Sequence, residues 1–171
     1  MLVLYAKIIN DEQKEGETLA SYQIKKLNPE DYNKCQSIWD MGKNPKMAKI
    51  FYDELVSGNR ITFIYTENEE FIGEGSLVFK KDDPDYTIPK KRIYLSRMIV
   101  KKEFQNRGIG GTILDYLMDY ARQLGFEEMA LGVDTDNLSA RHLYEKKGFT
   151  TSIFKGEDEY GEFERLLKIL V

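Results

Sequence analysis

The sequence predicts an α+β fold, with a mixed and largely antiparallel sheet of about seven strands flanked by about four helices. Segments that alternate apolar and polar residues stand next to segments with apolar residues at helical spacing. Their order is strand, helix, helix, three strands, helix, strand, helix and two strands. Strands that directly follow strands predict antiparallel hairpins. The 171 residues, 42% of them hydrophobic and 32% charged, suit a single globular domain.

The first half of the chain supplies a strand, two helices and a hairpin. Each helix has the same start signal, an asparagine that can cap the helix followed by a proline that needs no N–H there, at Asn28-Pro29 and at Asn44-Pro45. The second helix stops near Gly58. The predicted elements are a strand over 21–27, helices over 29 to about 41 and 47–55, and a hairpin of strands 60–66 and 71–80.

The second half begins with a loop that contains two prolines, residues 81–92. Gly125 and Gly148 each follow a helical pattern, where glycine commonly ends a helix. The segment after residue 161 fits the second strand of a hairpin and fits a helix equally well. The predicted elements are a strand over 93–100, a helix over 113–124, a strand over 128–133, a helix over 138–147 and a hairpin of strands 150–155 and 162–170.

Residues 1–20 are predicted to form an extension of the domain, which spans residues 21–171. Residues 1–9 are apolar and residues 10–18 are polar, so we expect an extra strand or packing arm followed by a linker. The apolar stretch lacks a basic leader and a small-residue cleavage site, which is atypical of a signal peptide. It is also too short to cross a bilayer. No membrane association is therefore expected.

Charge and cysteine content limit the partners and the compartment. The net charge of −4 disfavours a broad nucleic-acid surface. It fits cationic partners, although mild acidity is also typical of any soluble surface. Cys35, the one cysteine, has no partner for an internal disulfide, which favours a reducing, cytoplasmic location. Its helical spacing from Tyr32, Ile38 and Trp39 predicts a core position rather than a nucleophile.

The stretch Gln105–Thr112, QNRGIGGT, places three glycines between a strand and a helix. It lacks the Gly-Lys-Ser/Thr of a P-loop, and Ile113 stands where a dinucleotide fingerprint needs its third glycine. A tight connection without a ligand remains open. The other reading is an anion site, because the first N–H groups of a helix lack partners and glycines let a diphosphate approach them. Arg107 adds a positive charge, so we expect a phosphate-bearing cofactor.

A second motif lies downstream, in Asn137…Ala140…Leu143-Tyr144…Gly148-Phe149. Together with Gln105-x-x-Gly-x-Gly, it resembles the GNAT superfamily of N-acetyltransferases. The resemblance covers residues 22 to the end and is strongest over 93–149, with Lys102 standing where the family often has proline. It implies a GNAT-like sheet that is splayed between its fourth and fifth strands. It also implies acetyl-CoA as cosubstrate, without a metal.

The resemblance assigns the cofactor to the fourth strand and the glycine stretch. The main chain of Met98 and Val100 would bind the pantetheine arm, Gln105 to Gly110 the diphosphate, and Asn137 the pantetheine while also capping a helix. Gly111 and Thr112 would stand at the helix start. The implied cofactor residues are Met98, Ile99, Val100, Gln105, Asn106, Arg107, Gly108, Ile109, Gly110, Gly111, Thr112, Asn137 and Tyr144.

The implied chemistry is direct attack of a primary amine on the thioester of acetyl-CoA. Tyr144 would be the general acid, its pKa of roughly 10 lying close to the roughly 8.5 of a thiol; the alternative is a core tyrosine. The N–H of Val100, at the family's bulge, would stabilise the oxyanion. Glu74 is our first choice of general base, with an edge or solvent-facing glutamate as the alternative, and Asp134 is the second. His142 is expected at the surface.

The acceptor is not determined by the sequence. The acidic side chains of the loop, Asp82, Asp83 and Asp85, together with Tyr86, would suit a cationic amine, and a solvated loop explains them equally well. Polyamines, aminoglycosides, amino acids and protein amines remain open, and so does a homodimer. A different class also stays open, namely a catalytically inactive CoA-binding sensor or interaction module, although the intact Tyr144 argues against it.

Overall fold

The computed structural model describes residues 21–171, and the predicted extra strand or arm within 1–20 lies outside that part of the chain. One seven-stranded sheet has the order β1-β2-β3-β4-β5-β7-β6. Its strands are antiparallel to their neighbours except for the parallel pair β4 and β5, which confirms the predicted mixed sheet. The strands are β1 (Tyr22–Lys26), β2 (Arg60–Glu67), β3 (Glu70–Val78), β4 (Arg92–Val100), β5 (Glu128–Asp134), β6 (Thr151–Asp158) and β7 (Gly161–Ile169).

Helices cover both faces of the sheet and bury two apolar clusters. The larger cluster lies under α2, where Leu114 and Leu117 are fully buried, and the smaller one lies under α1 and the first 3₁₀ helix. Cys35 is a buried free thiol in the smaller cluster, so the predicted core position is confirmed. None of the helices in residues 21–171 is long and apolar enough to span a bilayer. The helices are a 3₁₀ helix (Pro29–Ser37), α1 (Pro45–Val56), a second 3₁₀ helix (Lys102–Phe104), α2 (Ile109–Gln123) and α3 (Leu138–Lys146).

The first predicted helix is a 3₁₀ helix that stops at Ser37, short of the predicted end near Met41. Side chains compete for the main-chain groups there. Ser37 Oγ donates to the carbonyl of Lys34, and the side chain of Gln36 accepts from the N–H of Met41. Such local bonds offer the backbone an alternative to the helical ladder, and they end the helix early.

The last segment is a strand, so the alternative of a C-terminal helix is wrong. β7 pairs with β5 on one side, from Glu128↔Ile169 to Asp134↔Phe163, and with β6 on the other. Both edges of its backbone are therefore satisfied by neighbouring strands. The local sequence fits a strand and a helix equally well, and pairing with both neighbouring strands makes this segment a strand.

The turn between β2 and β3 yields a stability prediction. Asn68 and Glu69 both have positive φ, 47° and 65°, in a two-residue connection that favours Asn-Gly. Asparagine tolerates this region, whereas glutamate is strained in it. We expect Glu69→Gly to raise the free energy of unfolding by about 0.5–1 kcal/mol, measured by urea denaturation. Asn68→Gly is the matched control and should gain less. Equal or lower stability of Glu69→Gly would contradict this assignment of strain.

Candidate functional site

A wedge-shaped cleft opens between the two parallel strands in the middle of the sheet. β4 and β5 pair from Arg92↔Glu128 to Leu95↔Leu131 and no further. Beyond that point β4 continues to pair with β3 as far as Val100, and β5 continues to pair with β7. The two strands therefore diverge while each stays bonded on its outer side, which is the splay expected between the fourth and fifth strands.

A bulge marks the point of divergence. Ser76 pairs with Arg97 while Leu77 pairs with Leu95, so Ser96 is an extra residue on β4. The bulge was expected at Val100 from the family resemblance, and this position is wrong. Bulges bend and twist a strand, so Ser96 accounts for the departure of β4 immediately after Leu95. From β2, Arg60 Nη2 donates to Ser96 Oγ over 2.9 Å.

Main-chain groups of β4 face the cleft at alternate residues. The N–H of Lys101 donates to Ile72 of β3, and hydrogen-bonding direction alternates along an antiparallel strand. Ile99 therefore bonds with β3, whereas Met98 and Val100 turn their N–H and C=O toward β5. Gln105 Nε2 already donates to the carbonyl of Val100 over 3.0 Å. Of the three predicted strand residues, Met98 and Val100 present main-chain groups to the cleft and Ile99 does not.

Tyr144 lines the cleft from α3. It is 8% exposed, packs edge-on against Phe149 with a 5.9 Å centroid separation, and belongs to the larger core cluster. Its hydroxyl makes no hydrogen bond to the residues from 21 to 171. Burial raises the pKa of Tyr144 to about 12. The cleft has a volume of about 240 Å³ and is lined by Leu95, Ser96, Arg97, Met98, Gly132, Val133, Asp134, Asn137, Ala140 and Tyr144.

Asn137 stands at the start of α3 and performs the capping role that the sequence suggested. Its Oδ1 accepts from the N–H of Ala140 over 3.2 Å. Such a cap typically stabilises a helix by about 1 kcal/mol. Because Asn137 also lines the cleft, its amide nitrogen remains available there.

The glycine stretch leads into α2 next to the cleft. Asn106 and Gly108 have positive φ, 60° and 79°, and the helix begins at Ile109, two residues before the predicted Gly111. The first helical bond runs from the N–H of Thr112 to the carbonyl of Gly108. The N–H groups of residues 109–111 therefore have no partner within the helix. No acidic residue lies in this first turn.

Two cations flank the start of α2. Arg107 is exposed, lies over the ring of Phe104 at 5.0 Å and donates to the carbonyl of Glu103. Lys147, at the end of α3, lies beside Gly111 and binds Asp115 over 2.6 Å. The charge of Arg107 adds to the positive end of the helix dipole, whereas Lys147 is paired with Asp115, and the site suits a phosphate group.

Comparisons with known proteins agree on one family. The model of the Acetyltransferase (GNAT) family matches residues 22–149, three quarters of the chain. The chain belongs to the GNAT acetyltransferase family. An uncharacterized N-acetyltransferase of Bacillus subtilis, YhfO, is 30% identical over 121 residues, which are 69% of this chain and 78% of that protein. N-alpha-acetyltransferase 30 of Schizosaccharomyces pombe is 28% identical over 115 residues, 67% of this chain and 74% of that protein.

Solved GNAT structures show the same fold. The Salmonella typhimurium protein yncA, solved with its cofactor acetyl-CoA, superimposes with a TM-score of 0.68 at 16% identity, over 88% of this chain and 94% of that one. At this identity the likeness establishes the fold alone. The family membership makes this protein an acyltransferase, and the sequence resemblance is confirmed.

Glu74, the first choice of general base, lies on β3 opposite Ile99 of β4. It is 3% exposed and accepts from Arg97 Nε over 2.8 Å, so the edge or solvent-facing reading is wrong. Burial raises the pKa of Glu74, and the charge of Arg97 opposes that rise. Glu74 is not among the residues that line the cleft, whereas Asp134 lines it and is exposed. The structure thus brings Asp134, not Glu74, to the same cleft as Tyr144.

The acidic loop is largely neutralised within the protein. Arg165 Nη1 lies 2.8 Å from a carboxylate oxygen of Asp83 and 2.8 Å from one of Asp85, and its guanidinium lies over the ring of Tyr86 at 4.5 Å. Asp82 is exposed. The hydroxyl of Tyr86 lies against Gly132, so this part of the loop does reach the cleft. Two of the three carboxylates expected to attract a cationic acceptor are therefore already paired.

Neither a histidine base nor a cluster of metal ligands is found beside Tyr144 in residues 21–171. His142 is exposed, as predicted, on the helix that carries Tyr144. Over residues 21–171 there is no group of three His, Cys, Asp or Glu side chains suited to a metal ion.

Sequence reasoning missed Ser96 and Arg97. Ser96 is the bulge and Arg97 lines the cleft beside it. The available signal was the polar pair Ser96-Arg97 inside an otherwise apolar strand, which breaks the alternation expected of a regular strand. An interruption of this kind is typical of a bulge next to a functional site.

Gly110 gives a test with two readouts that move in opposite directions. A Cβ at Gly110 would lie 3.4 Å from Leu143, an ordinary contact, and alanine favours a helix over glycine by about 1 kcal/mol. We therefore expect Gly110→Ala to raise the melting temperature of the free protein. The same methyl group would crowd an anion at the first N–H groups and weaken CoA binding about tenfold, measured by calorimetry.

The matched control is a glycine at the opposite end of the same helix. Gly125→Ala adds a methyl group at a positive φ of 84° with nothing within 4 Å, so it should lower stability without changing CoA affinity. Normal CoA binding by a folded Gly110→Ala variant would support a glycine stretch that serves as a connection alone.

Proposed function

We propose that this protein transfers the acetyl group of acetyl-CoA to a primary amine by direct attack, within the cleft between β4 and β5. The observation that carries the proposal is the cleft itself. It is lined by Met98 of β4, whose main chain has no partner on β5, and by Tyr144, and the unpaired N–H groups of α2 begin a few residues after β4 ends. An inactive CoA-binding module would not need Tyr144 with its hydroxyl free toward the cleft.

The residues present fit acetyl-CoA along its length. The carbonyl of Met98 and the N–H of Val100 would bond the amide groups of the pantetheine arm as a neighbouring strand would, because Gln105 already occupies the carbonyl of Val100. Residues 109–111 and Arg107 would hold the diphosphate through N–H groups, the helix dipole and charge. Acetyl-CoA supplies the reactive thioester when bound.

An N–H of β4 would stabilise the negative charge that develops on the thioester oxygen. Val100 was the donor inferred from the family's bulge, and the bulge lies instead at Ser96. The N–H of Met98 is two residues from that bulge, faces the cleft and belongs to a residue that lines it. We assign the oxyanion donor to Met98. A fixed main-chain donor in a site that excludes water commonly contributes about 3 kcal/mol to catalysis.

Tyr144 would donate its proton to the departing thiolate. Its pKa of about 12 is higher than the roughly 10 of an ordinary tyrosine, so the gap to the roughly 8.5 of a thiol is wider than expected from the sequence. The thiolate would form in the same buried cleft, where loss of hydration also raises its pKa. Burial therefore raises the pKa of both the Tyr144 hydroxyl and the thiol of CoA, which keeps proton transfer between them feasible.

Asp134 is the better candidate for the base. It is exposed at the edge of the cleft and lies on the same strand as Gly132, so it can take a proton from an incoming ammonium directly or through water. Glu74 is committed to Arg97 and is assigned no proton-transfer role in this proposal.

The experiment that tests the proposal is CoA release from acetyl-CoA in the presence of a panel of primary amines. Acetyl-CoA should also raise the melting temperature, because a ligand that binds only the native state stabilises it. Stabilisation by NAD or ATP but not by acetyl-CoA would overturn the proposal.

Tyr144→Phe tests the acid. It retains the ring and its contact with Phe149, so stability should change little. We expect kcat to fall about 10²–10⁴-fold with little change in the KM for acetyl-CoA. Since the protonated hydroxyl is the active form and persists below a pKa of about 12, the wild-type kcat should show no alkaline loss from Tyr144 below about pH 10.

The control is Tyr32→Phe, a buried tyrosine on the opposite face whose pKa burial also raises to about 12. The kcat of the Tyr32→Phe variant should match that of the wild-type protein. A Tyr144→Phe variant with wild-type single-turnover rates would return Tyr144 to a packing role.

A further inference from the structure

Arg97 belongs to the lining of the cleft, and its guanidinium is held in a fixed orientation by residues that lie beside the cleft. It follows the Ser96 bulge and lines the same cleft as Tyr144. Its guanidinium lies over the ring of Trp39 at 4.1 Å and over that of Phe51 at 5.6 Å. Stacking of this kind restricts the planar group to one plane.

The guanidinium is incompletely paired. Nε donates to Glu74 over 2.8 Å, and among residues 21–171 Glu74 is its single charged partner. Nη1 has the thioether sulfur of Met47 at 3.7 Å, which is a weak acceptor. The Arg97 side chain is 17% exposed and that of Glu74 is 5% exposed, so the accessible part of the pair is the guanidinium. Its outer edge keeps N–H donors that face the solvent.

Arg97 differs from the other charged side chains around it in that its guanidinium is accessible to a ligand. Arg60 is a second arginine over Phe51, at 4.0 Å, but its side chain is 2% exposed and cannot meet a ligand. Glu54 is bound by Arg60 and Lys81, and the acidic loop by Arg165. A cationic acceptor would meet Glu54, Asp83 and Asp85 already paired, which leaves Asp134 in the cleft and the exposed Asp82.

We propose that the acceptor amine carries a carboxylate, and that this carboxylate binds the outer edge of the Arg97 guanidinium. The inference rests on the proposed acetyl transfer and specifies its substrate class. A planar carboxylate matches the two parallel donors of a guanidinium edge. Asp134, which also lines the cleft, would then face the amine. The acceptor is thus an amino-acid-like zwitterion rather than a polycation.

The test uses pairs of acceptors that differ in one group, an amino acid and its carboxamide, with CoA release as the readout. Charge-assisted hydrogen bonds predict that the wild-type protein prefers the carboxylate member about tenfold to a hundredfold in kcat/KM. Replacing the carboxylate by a carboxamide also changes the basicity of the neighbouring amine. Pairs with amines of matched pKa, or rates measured over a series of pH values, remove this difference. The preference should appear mainly in the KM for the acceptor.

Two variants separate recognition from folding. Arg97→Lys keeps a positive charge beside Glu74 but loses the fork, and the double variant Glu74→Gln/Arg97→Gln leaves a neutral pair. Both should reduce the preference for the carboxylate to less than about threefold, whatever their effect on overall rate. Arg165→Lys is the matched control, a stacked arginine with two acidic partners that does not line the cleft, and it should keep the wild-type preference.

The outcomes are distinct. A wild-type protein that acetylates both members of each pair equally, or a preference that survives in both variants, overturns the role of Arg97 and leaves acetyl transfer intact. Failure of every pair to release CoA, together with no stabilisation by acetyl-CoA, overturns the carboxylate acceptor and the proposed function together.

Discussion

The site depends on one structural constraint, the separation of β4 from β5 immediately after Leu95. Two parallel strands part in the middle of a sheet, where main-chain groups normally find partners on both sides. The separation is sustained because each strand keeps its outer neighbour, β3 for β4 and β7 for β5. The unpaired inner edges are therefore a stable feature of the native fold. They are polar groups fixed in place before any ligand arrives, as efficient electrostatic catalysis requires.

The packing of α2 links the phosphate-binding end to this opening. A Cβ at Gly75 would lie 2.6 Å from Ile113 and from Leu117, so glycine at this position lets the helix approach β3 closely. That approach places the first turn of α2 next to the end of β4. On the opposite face, Arg60 reaches Ser96 across the sheet while bound to Glu54. Thus the bulge is supported from one face and the anion site from the other.

The sequence predicted the features that depend on local pattern. Largely apolar segments bounded by turn residues located β2, β3 and β4, and the asparagine-proline pairs located two helix starts. The start of α2 was misplaced by two residues because Ile109 alone carries apolar character in its first turn, whose next residues are Gly110 and Gly111. The two motifs identified the family, since they contain the residues that shape the cleft and the anion site.

Features that depend on contacts between distant segments could not be predicted. The position of the bulge is a matter of register between β3 and β4, and the polar pair Ser96-Arg97 in the sequence of β4 indicates an irregularity without fixing that register. Glu74 stands between two glycines, so its neighbours gave no indication of which face was buried, and its partner Arg97 lies 23 residues away. The pairing of the acidic loop with Arg165 joins residues 80 apart for Asp85. These contacts decide which charges remain available to an acceptor.

The central claim is that the inner edge of β4 binds acetyl-CoA through its main chain, and amide hydrogen exchange tests it residue by residue. In the free protein the N–H groups of Met98 and Val100 should exchange quickly, and that of Ile99, bonded to β3, slowly. Acetyl-CoA should slow exchange at Met98, Val100 and residues 109–111 and leave the exchange of Ile99 unchanged. Binding of acetyl-CoA with no added protection at Met98 and Val100 would contradict it.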